Sequence, residues 1–179
     1  MSKVVKEEIQ VSDKEKQECE ARKNNIIVFN VPEPNEILKE AAKKKDVETF
    51  KDVCTNTLEV TIEEDNILNM YRIGKKDKNS EKVRPLVITI DSEETKKEIF
   101  TNLHKIRDAE ALTKDMSFDH DQTPLQHQER KELIAKARIM QDNDSTNNKY
   151  AVRGPPWNLR IVKRRKKEEE LPSSDAENA

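Results

Sequence analysis

The sequence predicts a mixed α+β protein made of two small modules, and three observations lead there. The run Ile26–Val31 is almost continuously apolar and rich in β-formers, and Pro32 and Pro34 halt it, so a central strand is expected. The apolar spacing then alternates between helical and strand periods along the chain. Hydrophobic residues make up 33% of 179 positions and charged residues 39%, enough for one or two compact cores but not for a large core around a deep cleft.

Residues 1–21 are polar with scattered Val4, Val5, Ile9 and Val11. A frayed helix, the end of a coiled coil and plain disorder all stay open there. After the first strand, Asn35–Thr57 has helical spacing, with Ile37, Leu38, Ala41, Ala42, Val47, Phe50, Val53 and Cys54 on one face and Lys43–Lys45 on the other. Ile67–Ile73 predicts a second strand, ended by Gly74 and a polar loop. In VRPLVITI, Leu86, Ile88 and Ile90 alternate with Val87 and Thr89, which predicts a third strand with Pro85 tolerable at its start. Asp91 or Ser92 should cap a helix, with Glu94 as the capping-box partner of Asp91 and Ile99, Leu103 and Ile106 on its buried face. Strand, helix, strand, strand, helix is the order of the split βαβ, or ferredoxin-like, arrangement, whose fourth strand is expected near Ala111–Asp115.

A second unit follows. Thr123 reads as a helix cap with Pro124 at the first helical position and Gln126 at the capping-box position. Leu125, Leu133, Ala137 and Met140 make the expected buried stripe, with Arg130, Lys131 and Arg138 away from its centre. Tyr150–Arg153 and Asn158–Val162 should form a hairpin around a Gly-Pro-Pro turn. The expected divisions are therefore an N-terminal segment 1–21, a first domain 22–115, a small helix-and-hairpin α+β domain 116–167 and an acidic, disordered tail 168–179.

The net charge of -2 hides sorted charges: Lys149–Lys167 holds eight basic residues, no acid and the only Trp. Only two cysteines, Cys19 and Cys54, lie outside any metal-ligand spacing, so no disulfide and no zinc are expected, and the chain should be intracellular with no membrane span. Asp115, Asp119, His120 and Asp121 could suggest a metal cluster, and His104 or His127 a base. The aspartates nevertheless sit before a helix N-terminus, where the dipole favours negative charge, and no catalytic or metal site is expected. Two glycines in total, Gly74 and Gly154, exclude a glycine-rich phosphate loop, and no cofactor is expected.

The motifs RKNNIIVFNVPE, NMYRIGK followed by VRPLVITI, DMSFDHDQTPLQHQERKEL and KYAVRGPPWNLRIV occur in an order that resembles the first-open-reading-frame proteins of LINE-type (non-LTR) retrotransposons, in their invertebrate form, over about residues 20–165. The resemblance implies an RNA-recognition-motif-like (RRM-like) domain plus a C-terminal domain that bind single-stranded RNA or DNA without catalysis, as a nucleic-acid chaperone in a ribonucleoprotein. It also implies self-association, here through residues 1–21 or a coiled coil missing from these residues. The stacking positions expected of such a sheet carry Ile27, Pro85 and Val87, so binding should rest on charge.

The candidate nucleic-acid-binding residues are Arg22 and Lys23 before the first strand, Arg72, Lys75 and Arg84 around the second and third, and Arg130 and Lys131 on the C-terminal helix. Arg153, Arg160, Lys163, Arg164 and Arg165 on the hairpin complete the set, with Trp157 and Tyr150 as stacking candidates. Each has a plainer alternative: solubilising strand-end charges, a solvated helix face, or a hairpin core for Trp157. KRRKK also reads as a nuclear localisation signal, so the expected compartment is cytoplasm or nucleus. The competing expectation is a truncated or domesticated protein–protein interaction module on the same scaffold.

Overall fold

The structure, a computed structural model, describes residues 3–36, 38–76, 82–146 and 148–165, and the expectations for Ile37 and the acidic tail lie outside them. The chain divides into two compact units after Thr123.

In the first unit a helix α1 (Lys3–Arg22) leads into β1 (Asn25–Phe29), α2 (Lys39–Asp52), β2 (Ile67–Arg72), β3 (Leu86–Ile90), α3 (Glu93–Asn102), a single-turn α4 (Ala111–Lys114) and β4 (Ser117–His120). The strands form one sheet in the order β2-β3-β1-β4, every pair antiparallel. That is the split βαβ arrangement, compatible with an RRM-like α+β fold.

Strand alternation sorts the two faces of this sheet. Ile26, Val28, Met70, Leu86, Ile88 and Ile90 point to one side, where Phe50 in α2, Val53 and Cys54 just after it, and Ile99 and Ile106 in and after α3 meet them, all 7% exposed or less. Each such side chain contributes roughly 1.5–3 kcal/mol of burial. Burial also pushes the Cys54 thiol up to about 12, so it stays a neutral core group. Leu58, Val60 and Ile62 are buried as well although they lie in no regular element, because their alternation with exposed Glu59, Thr61 and Glu63 points them all inward.

Several expectations need correcting. The helix expected from Asn35 begins only at Lys39, Leu38 is 72% exposed, and Asp46 is buried on a face read as apolar, because Arg72 reaches it. Of the two caps expected for α3, Ser92 is the one that acts, accepting from Thr95 N at 3.1 Å; the capping box expected between Asp91 and Glu94 does not form, since Asp91 accepts from Asn66 Nδ2 at 2.9 Å. The fourth strand is Ser117–His120, and Ala111–Lys114 is helical. Phe118 faces the core beside Val28, so the segment assigned to the second domain completes the first, and the boundary moves from 115 to 123.

Lys96 ties α3 to β1. Its side chain lies in a residue only 5% exposed, and Nζ donates to Lys23 O at 2.5 Å and Asn25 O at 2.7 Å, 5.8 Å from the Phe100 ring centroid. Burial pulls its pKa down to about 8 against the pull of Asp121 and Glu93. Between about pH 8 and 10.5 the unfolded chain then holds a proton that the folded chain does not, so stability rises with pH across that window. Urea unfolding of the wild type should gain about 3 kcal/mol there relative to Lys96→Met. Parallel pH curves for the two proteins would show that the lysine stays charged.

The second unit is α5 (Pro124–Asn143) and a hairpin of β5 (Asn148–Arg153) and β6 (Arg160–Arg165). Gly154, at φ +115°, makes the turn possible: a Cβ there would sit 2.1 Å from Asn158 O. Of the expected α5 stripe, Ala137 is buried and Leu133 half-buried, but Leu125 and Met140 are exposed. A two-stranded ribbon is too narrow to cover a face of a helix about 30 Å long.

Candidate nucleic-acid interface

Most basic residues proposed for the first unit are already committed within it. Arg72 has a side chain only 5% exposed. It grips Asp46 with two bonds of 2.6 and 3.0 Å and donates to Val31 O, Pro32 O and Arg84 O. It sits on the helix side of β2 and fastens α2 and the chain after β1 to the sheet, so it cannot reach a phosphate. Arg84 is held by Glu33 in a bidentate pair closing at 2.9 Å, and the guanidinium bonds hold the Glu33 carboxyl down at about 2. Arg22 bonds Asp121 at 3.0 Å, and Lys23 bridges Glu20 and Glu93 at 2.5 and 3.1 Å. Lys75 is exposed, on the loop after β2.

The hairpin behaves differently because of its register. Asn148, Tyr150 and Val152 lie opposite Arg165, Lys163 and Ile161, and this face meets the end of α5. There Asp144 accepts from Tyr150 OH at 2.6 Å, Lys163 Nζ at 3.1 Å and Asn148 Nδ2 at 3.1 Å, as well as from Thr146. These donors, Thr146 first and Tyr150 next, hold the Asp144 carboxyl well below the usual carboxylate range. Tyr150 and Lys163 are thereby spent on structure, with Lys163 5.5 Å from the Tyr150 ring centroid.

The opposite face presents two cross-strand pairs of like charge, Lys149 with Arg164 and Arg153 with Arg160, on either side of half-buried Ala151 and Val162. All four cations are exposed and no acid shares the face. The two pairs stand four residues, or about 13 Å, apart along the strands. Like charges directly opposite each other destabilise a ribbon, and a bound anion would reverse that sign. Of the proposed hairpin set, the fold therefore gathers Arg153, Arg160 and Arg164 on one face, adds Lys149, and sends Lys163 and exposed Arg165 to the other.

Among the remaining candidates, Lys131 is exposed and Arg130 half-buried on α5. Trp157 is 69% exposed at the hairpin tip. Two aromatics went unproposed: Phe29 and Tyr71, 37% and 49% exposed, share the sheet face opposite α2 and α3 with Ile27 and with Val87, which is itself buried. Strand alternation could have placed Phe29 there, since it lies two residues after Ile27; Tyr71 needed the β2–β3 register, which slips between Ile67 and Asn69. Among the described residues no group of three or more His, Cys, Asp or Glu could hold a metal ion, and no helix is long and apolar enough to cross a membrane.

No protein-family model matches the chain, and no curated protein matches it.

Proposed function

We propose that the chain is a non-enzymatic protein that binds single-stranded RNA or DNA through its phosphates, in the manner of a non-LTR retrotransposon ribonucleoprotein component. The observation that supports this reading best is the exposed, acid-free face of Lys149, Arg153, Arg160 and Arg164, whose paired like charges suit an extended polyanion. Phe29 and Tyr71 offer a second, sequence-tolerant contact by stacking.

Fluorescence anisotropy of a labelled single-stranded RNA across a salt series tests it. Binding should be tight at low salt and weaken linearly in log salt, with a slope of about 0.7 per phosphate contact. No binding at low salt would overturn it.

A second reading, a protein-interaction scaffold, is favoured by exposed Leu68, Tyr71 and Ile73 along and just beyond β2, one of the two edge strands of the sheet. A partner whose affinity ignores salt would favour that reading.

A further inference from the structure

The hairpin tip and α5 enclose an open cleft of about 520 Å³, lined on one side by Pro156 and Trp157 and on the other by Glu129, Glu132, Leu133 and Lys136. Its chemistry is unlike that of the cationic face. Trp157 offers most of its surface, Leu133 and Pro156 make an apolar wall, and two carboxylates one helical turn apart stand at the rim. Glu132 already accepts one bond, from Gln128 Nε2 at 2.8 Å through Oε1, which leaves its second oxygen to accept another. Lys136 balances one of the two negative charges.

A phosphate would be repelled from this rim, whereas a flat heterocycle with N–H donors on its edge would be complementary to it: a π-face against Trp157 and an amino group toward a carboxylate. We propose that the cleft takes one unpaired, amino-bearing nucleobase, cytosine being the simplest case, with its ring on Trp157 and its amino edge on Glu129 or Glu132. The inference rests on the phosphate-binding reading above. The Arg153–Arg160 pair, at the base of the same 154–159 loop, would anchor the backbone from which that base is turned out. A strand held by its phosphates alone carries no sequence information; a carboxylate that accepts from an exocyclic amine does.

The test compares single strands of about twelve cytidines and twelve uridines, long enough to span a small binding module. They are bound to the wild type, to Trp157→Ala and to the double variant Glu129→Ala, Glu132→Ala, which removes both acceptors. The wild type should favour the cytidine strand by about tenfold, in the range of one amino-edge contact. In the double variant that ratio should fall to about one, even though removing two negative charges raises affinity for both strands. Trp157→Ala should weaken the cytidine strand more than the uridine strand. Equal wild-type binding of both strands, or a ratio untouched by the Glu→Ala changes, overturns the base cleft while leaving phosphate binding intact. Absence of binding to either strand at low salt overturns both readings together.

Discussion

Converting Lys149, Arg153, Arg160 and Arg164 together to Ala should lower affinity for single-stranded RNA by on the order of 10²–10³-fold at about 0.1 M salt, since each single-strand phosphate contact scales affinity by about [salt] to the power −0.7. The salt slope itself should become shallower by about 3. Removing Lys43, Lys44 and Lys45, which are exposed on α2, is the control for lost charge alone and should leave the slope nearly unchanged. The unbound quadruple variant should melt no lower than the wild type. Each opposed pair, Lys149 with Arg164 and Arg153 with Arg160, costs rather than contributes stability when no anion is present. A variant that binds with undiminished affinity would remove the hairpin face from the proposed interface. One that loses binding only because its melting transition collapses would show instead that the four side chains hold the ribbon together.

Arg72→Ala should have the largest effect on stability, about 3–5 kcal/mol by urea unfolding, because it strands the Asp46 carboxylate in a residue only 6% exposed. It also leaves Val31 O, Pro32 O and Arg84 O without the guanidinium that now bonds all three. Arg72→Lys should recover little, since a single ammonium cannot reproduce two bonds to Asp46 and three to carbonyls in one plane. Asp46→Ala should cost a similar amount, and the double variant should be less destabilised than the sum of the two. If Arg72 instead served phosphate binding, its loss would leave the urea midpoint in place and make the salt slope shallower by about one. The geometry gives the opposite pairing of outcomes.

Local chain properties were enough for the class and element order of this protein. The run from Ile26 stopped by Pro32, the alternation in Leu86–Ile90 and the Pro124 helix start each act over a few residues, so strand, helix, strand, strand, helix could be read directly. The fourth strand was misplaced because Ser117–His120 has little β character of its own; pairing with β1 and the packing of Phe118 against the core make it a strand. The hairpin was legible as basic, but not which of its cations would act together, since cross-strand register decides that Lys149 joins Arg153, Arg160 and Arg164 while Lys163 turns to Asp144. Nor could the sequence separate a surface arginine from Arg72. Its charge is visible in one dimension, but its role depends on Asp46, 26 positions away, and on three carbonyls that only the folded chain brings within 3.0 Å. Composition and periodicity are sums over neighbours, and they determined the scaffold; commitment of a charge to a partner or to solvent is a property of long-range contacts, and the tertiary structure alone decided it.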